Sequence, residues 1–320
     1  MTNDTTISEF VLLGFGEFSK PQVLLFSLFL VIYILSMVGN FIIIILVVIN
    51  QHFHTPMYIF LANLAFMEAC CSSAVIPKML SVLLTGDNHI LFQSCFIQFY
   101  IYACLEGTEC YLLAMMSYDR YLAICKPLDY ATLMSWKLSF ILAAVSWAAG
   151  LMVSTTLTLN ILWLSFCGPN KIEHYFCDAI FNIREISCSD TYLVELSSFI
   201  FTYIFTLPPL FLVFTSYTSI IVTILRTSSI TGRQKAFSTC SSHLIVVGLY
   251  YGTFMLLYLL PRTKKVTHVK KFFSLFHTAL TPMINPLIYS LRNNEVKDAL
   301  NSWHKRFISY MSLHNAKFWK

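Results

Sequence analysis

The sequence has little charge for its length. Asp, Glu, Lys and Arg together make up 12% of the 320 residues, whereas soluble domains carry about 25%. Hydrophobic residues make up 57%, which is more than one globular core can bury. A bilayer accommodates such a chain, because each spanning helix needs roughly 20 mostly apolar residues. The composition therefore excludes an ordinary soluble domain and predicts a polytopic membrane protein.

The sequence also lacks the motifs of common enzyme and transporter classes. It has no Gly-rich phosphate loop, no nucleophile elbow and no cluster of metal ligands in sequence, so an enzyme is disfavoured and no cofactor is expected. It has no internal repeats, which are frequent in transporters. The net charge of +5 is attributed to membrane topology and anionic lipid, and no nucleic-acid partner is expected.

Seven long apolar stretches predict an all-α bundle of seven membrane-spanning helices. A short amphipathic helix at 292–300 is expected to lie along the inner face of the membrane. The predicted division is an N-terminus at 1–22, a helical domain at 23–291, and an amphipathic helix with a tail at 292–320. The predicted helices are 23–49, 57–84, 95–126, 138–162, 191–226, 235–260 and 271–291.

Loop charges predict the orientation of the bundle. Basic residues outnumber acidic ones on the loops that are cytoplasmic if the N-terminus is outside, in agreement with the positive-inside rule. A basic cluster at 262–271 on the last outer loop runs against this pattern. Segment 1–20 lacks the features of a cleavable signal peptide, so the first helix is expected to direct insertion. We expect a multi-pass plasma-membrane protein with an extracellular N-terminus, glycosylated on Asn3 in the triplet Asn3-Asp4-Thr5.

Four of the ten cysteines fall on the side predicted to be outside, where disulfides persist. They are Cys95, Cys167, Cys177 and Cys188. Four cysteines allow three pairings, and spacing does not choose among them. The other six lie in or beside predicted helices and are expected to be free packing residues.

The most informative segment is MSYDRYLAICKPLDY at 116–130, beginning near the end of the third stretch. It places Asp119, Arg120 and Tyr121 at the water boundary of a membrane helix. A charged pair is costly in hydrocarbon and inexpensive at its edge. A spanning helix that ends on such a pair is a candidate conformational switch; the alternative is a plain interfacial anchor.

Several segments together carry a resemblance to one family. They are Gly39-Asn40, PMYIFLANLAFME at 56–68, MSYDRYLAICKPLDY, the cysteines of FCGPNKIEHYFCD and SCSD, Ser216-Tyr217, KAFSTCSSHL at 235–244, and PMINPLIYSLRN at 282–293. With this set the chain resembles an olfactory (odorant) receptor of the rhodopsin-like, class A, seven-helix G-protein-coupled type, in the tetrapod-type class II branch. The resemblance implies that it binds small volatile molecules between its helices and activates a stimulatory, olfactory-type heterotrimeric G protein that raises cyclic AMP. A chemosensory receptor for a small metabolite outside the nose is the alternative.

The resemblance implies a switch near the cytoplasmic end. Asp119 would hold Arg120 at rest, and Arg120 would meet the G protein after helix 6 moves outward. Pro286 has no N–H and frees a carbonyl, so helix 7 can flex there. For Lys235 the alternative is contact with lipid headgroups, and for His243 it is an ordinary core histidine. The full set of switch and coupling residues is Asp119, Arg120, Tyr121, Tyr217, Lys235, His243, Asn285, Pro286 and Tyr289.

The resemblance also implies two disulfides, Cys95–Cys177 and Cys167–Cys188, which would fold the outer loop as a lid over the pocket.

The resemblance also implies a polar cluster at mid-membrane that contains Asn40, Glu68 and Asn285. A sodium ion held by Glu68 and Glu109 is one interpretation, although the family usually has aspartate at the position of Glu68. A neutral, hydrogen-bonded Glu68 is the alternative, because an unpaired charge is costly in the core. No other metal is expected.

Ligands of such receptors bind among the outer halves of helices 3, 5, 6 and 7, and helical spacing there selects a facing set. This set is aromatic and mostly apolar, with a few hydroxyls, so affinity would come from apolar burial. For each aromatic residue the alternative is ordinary helix–helix packing. The predicted lining is Phe99, Tyr102, Ala103, Glu106, Gly107, Thr202, Phe205, Thr206, Tyr251, Phe254, Met255, Tyr258, His277 and Thr278.

Glu106 is the residue expected to distinguish this receptor. It lies three positions before Glu109 and points about 60° away from it on a helix. A carboxylate inside the membrane is a functional hypothesis by default, so Glu106 is expected to bind an amine or to accept a hydrogen bond from an alcohol. The alternative is a protonated Glu106 bonded to a neighbour such as His277.

Overall fold

The computed structural model describes residues 7–14, 22–167, 170–178, 186–259, 264–292 and 296–301. The proposed glycosylation site Asn3 and most of the tail lie outside these residues. Residues 296–301, within and just after the predicted amphipathic helix, are helical. The long helices are α1 (Gln22–Ile49), α2 (Pro56–Thr85), α3 (Phe92–Cys125), α4 (Trp136–Leu162), α5 (Tyr192–Arg226), α6 (Ile230–Leu259) and α7, which joins Lys264–Leu275, Phe276–Leu280 and Thr281–Arg292.

The helices have the length and surface that a bilayer requires. Five of them, α1, α2, α4, α5 and α6, are long and apolar enough to cross a membrane. At 1.5 Å per residue α3 is about 50 Å long, but its polar residues, among them Glu106 and Glu109, lower its hydropathy. The π-helical segment Phe276–Leu280 interrupts α7. Large apolar side chains such as Phe211 and Phe214 are exposed on the outside of the bundle, and the predicted seven-helix membrane bundle is confirmed.

Two helices begin more than a helical turn earlier than the sequence predicts. The predicted start of α6 is 235 and the observed start is Ile230; α7 is predicted from 271 and begins at Lys264. Hydropathy marks the part of a helix that lies in hydrocarbon. Polar turns at the helix end stay hydrogen-bonded while their side chains reach water, so hydropathy does not detect them.

A small sheet covers one end of the bundle, which is called the sheet end below. It has three strands in the order β2–β1–β3, namely β1 (Glu9–Leu12), β2 (His89–Leu91) and β3 (Lys171–Ile172). Strand β1 is antiparallel to β2 and parallel to β3, and its side chains Phe10 and Leu12 are fully buried. None of these strands is predicted from the sequence, because segments of two to four residues are too short to show an alternating pattern.

Small residues allow close helix contacts that position the rest of the bundle. A Cβ atom on Gly150 of α4 would collide with the Thr108 hydroxyl and the Cys104 carbonyl of α3. A Cβ atom on Gly39 of α1 would lie 3.0 Å from the Cβ atom of Pro286 on α7. Glycine at these points lets two backbones approach each other, which fixes α3 against α4 and α1 against the proline of α7.

Two disulfides fix the loop after α4: one ties it to the start of α3 and the other closes the loop on itself. They join Cys95 to Cys177, with Cα atoms 5.3 Å apart, and Cys167 to Cys188, with Cα atoms 5.7 Å apart. This is the pairing that the family resemblance implies. The Cys177 N–H also donates to the Gln98 side chain at 2.9 Å, so the loop is held to the first turns of α3.

Candidate functional site

A cavity of about 60 Å³ lies between α3, α4, α5 and α6 toward the sheet end. One water needs roughly 10–15 Å³ measured in this way, so the space admits a small molecule. Most of its lining is aromatic or aliphatic. The lining residues are Phe99, Tyr102, Ala103, Glu106, Gly107, Cys110 and Tyr111 of α3, Val153 and Leu157 of α4, Thr202, Phe205 and Thr206 of α5, Tyr250 and Phe254 of α6, and Asp178 of the loop.

Nine residues of the predicted lining contribute to this cavity. They are the five α3 residues and the three α5 residues of the predicted set, together with Phe254 on α6.

The remaining α6 residues of the predicted set are not placed in the cavity lining. Tyr250 and Phe254 face the cavity, so Tyr251 and Met255, each one position later, are rotated away by about 100°. The Tyr251 hydroxyl donates to the Cys110 carbonyl at 3.0 Å, and Met255 is 44% exposed on the outer surface. The side chain of Tyr258 lies outside the part of the molecule that the structure describes.

The two α7 residues of the predicted set lie behind the cavity wall. Thr278 shares a hydrogen bond of 2.9 Å with the Tyr175 hydroxyl of the loop. His277 contacts two lining residues, Glu106 and Tyr250, but does not line the cavity itself. These two α7 residues therefore contact the residues around the cavity and do not line it themselves.

Six lining residues are missing from the prediction: Cys110, Tyr111, Val153, Leu157, Asp178 and Tyr250. A helical signal exists for three of them. Cys110 and Tyr111 continue the three-and-four spacing of α3, and Tyr250 lies four residues before Phe254. Helix α4 and the loop carry no comparable signal, because their place beside the cavity depends on the tertiary fold.

Glu106 and His277 join α3 to α7 at the cavity wall. The His277 Nε2 and Glu106 Oε2 atoms are 2.6 Å apart, and both side chains are buried. The Nδ1 atom of His277 lies 3.2 Å from the Thr253 hydroxyl on α6. The Tyr250 hydroxyl donates to the Glu106 main-chain carbonyl at 2.9 Å. His277 is the neighbour named in the alternative for Glu106, and the arrangement links three helices beside the cavity.

The mid-membrane cluster divides into two contacts. The Asn285 side chain donates to the Glu68 carboxyl, which joins α7 to α2. Asn40 instead donates to the Pro282 carbonyl at 3.0 Å, joining α1 to α7. Glu109 is buried, and within the described chain its Oε1 atom has no hydrogen-bond partner. A sodium ion at Glu68 and Glu109 stays a prediction.

The opposite end of the bundle, called the Asp119 end below, holds an ion pair. Arg120 donates to Asp119 Oδ2 through Nε at 3.0 Å and through a terminal nitrogen at 2.5 Å. The Tyr130 hydroxyl donates to Asp119 Oδ1 at 2.8 Å, and burial together with the Asp119 charge raises the pKa of Tyr130. Asp119 is fully buried, so its charge is balanced by these two neighbours.

A second contact at the Asp119 end joins α5 to α6. The Tyr217 hydroxyl lies 2.5 Å from His243 Nδ1. Tyr289 of α7 is buried, and no partner for its hydroxyl lies among the described residues. Tyr121 is half-buried and stacks with Tyr118. The side chain of Lys235 lies outside the described part of the molecule.

Nearly the whole chain matches one family of known proteins. The olfactory receptor family matches residues 29–305. The chain is similar to olfactory receptor 10A3 of Homo sapiens, with 45% identity over 307 residues that cover 96% of this chain and 98% of the relative. It is also similar to olfactory receptor 6B1 of Homo sapiens, with 46% identity over 300 residues that cover 94% and 96%. Together with the bundle, these matches define a seven-helix membrane receptor of the G-protein-coupled class, and not an enzyme. The chain belongs to the olfactory receptor family.

Proposed function

We propose that this receptor binds small volatile odorants in the cavity and activates a stimulatory, olfactory-type heterotrimeric G protein that raises cyclic AMP. The observation that carries the proposal is the aromatic cavity, which α6 helps to line through Tyr250 and Phe254. A molecule in this space touches a helix whose position differs between resting and active receptors of this class.

Apolar contact supplies the binding energy in this proposal. Burial contributes about 25 cal/mol per Å² of apolar surface, and a small volatile molecule has little surface, so each odorant binds with modest affinity. Polar side chains of the wall, among them Thr202, Thr206, Glu106 and Asp178, would select among odorants by hydrogen bonding.

Transmission follows from differential affinity. An odorant that contacts Tyr250 and Phe254 better in one position of α6 shifts the population toward that position. At the Asp119 end, α6 is joined to α5 through His243 and Tyr217. A displaced α6 breaks this contact and opens the space beside Arg120, where the G protein would bind.

The proposed orientation places the N-terminus and the sheet end outside the cell. Both disulfides lie at the sheet end, in keeping with an oxidising compartment. The Asp119 end then faces the cytoplasm, and the protein lies in the plasma membrane with a glycan on Asn3.

A matched pair of α5 variants tests whether the cavity is the odorant site. Cyclic AMP is measured in cells that express the receptor, against a panel of small volatile molecules. Phe205→Ala removes a side chain from the wall and so enlarges the cavity, which should change the potency of active odorants at least tenfold. Phe214→Ala, on the same helix but 68% exposed on the outside, should change it less than threefold. Equal effects of the two variants, at equal surface expression, would contradict the proposed site.

A further inference from the structure

A cluster of three ligand-type side chains lies between α3 and α7. The side chains of Glu106, Glu109 and His277 each offer a ligand atom, and these atoms lie within 4.8 Å of one another. All three side chains are buried. The two glutamates are one helical turn apart on α3, and His277 comes from the π-helical segment of α7.

The donor set fits one kind of ion. Imidazole nitrogen and carboxylate oxygen are zinc ligands, and three such ligands leave the fourth tetrahedral position open. Mg²⁺ and Ca²⁺ prefer oxygen ligands alone. Zinc–ligand bonds of about 2.0–2.2 Å place tetrahedral ligand atoms roughly 3.3–3.6 Å apart. The Glu106 and His277 atoms, now at 2.6 Å, would move apart by less than about 1 Å around the ion.

Glu109 gives an independent sign of a missing ligand. Its Oε1 atom is buried and has no hydrogen-bond partner in the described part of the chain. A buried polar atom without a partner destabilises the folded state, and more so if it is charged. A metal ion among the three side chains would satisfy this oxygen.

The second nitrogen of His277 is already held. Its Nδ1 atom lies 3.2 Å from the Thr253 hydroxyl, and that hydroxyl is 2.7 Å from the Leu249 carbonyl, to which it donates. The hydroxyl oxygen can therefore accept a hydrogen bond from an Nδ1–H group, and in that neutral tautomer the Nε2 lone pair faces the carboxylates. Metal-binding histidines are oriented in this way by a partner on the other nitrogen.

Charge and access also favour a divalent ion. Two carboxylates and a neutral imidazole carry two negative charges, which Zn²⁺ neutralises inside a medium where net charge is costly. The ion displaces the protons that otherwise balance the cluster. Glu106 lines the cavity, so the ion can reach the site from there.

We propose that Glu106, Glu109 and His277 form a Zn²⁺ site that joins α3 to α7 and opens onto the cavity through Glu106. The zinc site rests on these three side chains and does not depend on the proposed binding of odorants. A bound ion clamps the two helices and places a Lewis acid at the edge of the ligand space.

Thermal unfolding of the purified full-length receptor in lipid nanodiscs tests the site, with ZnCl₂ as the probe at constant NaCl. A ligand that binds only the folded state raises the midpoint in proportion to the logarithm of its concentration. The parent should show this rise, and Glu109→Gln should lose most of it. Glu109→Gln is isosteric, and the Oε1 atom of Glu109 has no hydrogen-bond partner in the described chain, so folding should be retained.

A surface histidine provides the matched control. His89 is exposed and lies 3.4 Å from the Glu9 carboxylate, so it offers zinc an adventitious His–Glu pair. His89→Gln should keep the full zinc effect. No rise in the parent, an equal rise in Glu109→Gln, or loss of the rise in His89→Gln would each overturn the proposal.

Cobalt substitution gives a second readout that does not depend on unfolding. Co²⁺ in a tetrahedral site of nitrogen and oxygen ligands has a visible absorption band, which the parent and His89→Gln should show and Glu106→Gln should lose. The same measurements with Na⁺ in place of Zn²⁺ test the competing assignment of Glu109 to a sodium site. Stabilisation by Na⁺ that needs Glu109 but not His277, with no cobalt band in the parent, would assign Glu109 to a sodium site and contradict the zinc site.

Discussion

Asn40 on α1 donates a hydrogen bond to the main-chain carbonyl of Pro282 on α7, at 3.0 Å. This carbonyl lies four residues before Pro286, which has no N–H to donate back to it. Asn40 therefore replaces the helical hydrogen bond that the proline removes. This side-chain amide also joins α1 to α7 next to the close approach of Gly39 and Pro286.

Replacement of Asn40 by leucine should destabilise the receptor by about 1–3 kcal/mol, because it leaves a buried carbonyl without a donor. Thermal unfolding of the purified receptor measures the loss. Ser27→Ala on the exposed part of α1 is the control and should be neutral. With Pro286→Ala the helix regains its own donor, so Asn40→Leu should then cost less in a double-mutant cycle. Additive costs would show that Asn40 does not act through this carbonyl.

Replacement of Glu106 by glutamine should separate amine odorants from alcohols. The glutamine amide can still form a hydrogen bond with the Nε2 atom of His277, so the link to α7 is kept while the negative charge is removed. Potency of amine agonists should fall at least tenfold, about 1.4 kcal/mol, and potency of alcohols should change less than threefold. Concentration–response curves for cyclic AMP measure both. An unchanged amine series would refute charge recognition by Glu106.

The hydrogen bond from Tyr130 to Asp119 should restrain basal signalling. The Tyr130 hydroxyl and Arg120 share the Asp119 carboxylate, so Tyr130→Phe weakens the hold on Arg120. Cyclic AMP without ligand should rise in this variant at equal surface expression, and more in Asp119→Asn. Thr132→Ala serves as the control, because Thr132 is exposed and lies with Tyr130 in the short helix Tyr130–Leu133. A basal level equal to that of the parent in both switch variants would rule out the restraint.

His174 should make the loop over the sheet end sensitive to acid. Burial and the nearby Lys271 charge lower the pKa of His174 to about 3, whereas an unfolded histidine titrates near about 6.5. The folded state thus resists protonation, so its stability is complete above about pH 6.5 and falls as the pH drops toward 3, by up to about 1.4 kcal/mol per unit.

The thermal unfolding midpoints of the parent and of His174→Gln are measured at pH 7, 6 and 5. The difference between the two proteins at each pH gives the contribution of His174. The difference in acid sensitivity should grow as the pH falls. Parallel pH curves for the two proteins would mean that His174 does not titrate on unfolding.

The helices were predictable from sequence because apolar length alone determines which segments lie in hydrocarbon. The starts of α6 and α7 were not, because the polar start of α7 at Lys264 is helical but carries no apolar signal. The cysteine pairing and the switch residues came from family resemblance, because spacing allowed three pairings. The cavity lining was predictable where residues at a helical spacing mark one face, as on α3. The prediction was wrong on α6, where the rotation of the helix about its axis places Tyr250 and not Tyr251 at the cavity. The contact between Glu106 and His277 joins residues 171 positions apart. As a contact of Glu106, His277 was named only in the alternative for that residue, because the tertiary fold decides which side chains meet over such a separation.

The most direct test of the coupling account is odorant-induced cyclic AMP in cells that express the parent and Arg120→Ala at equal surface density. The panel includes amines and alcohols that activate the parent. The account predicts that Arg120→Ala loses the response while a labelled agonist still binds, because Arg120 acts at the Asp119 end and not at the cavity. An undiminished response in Arg120→Ala would contradict it.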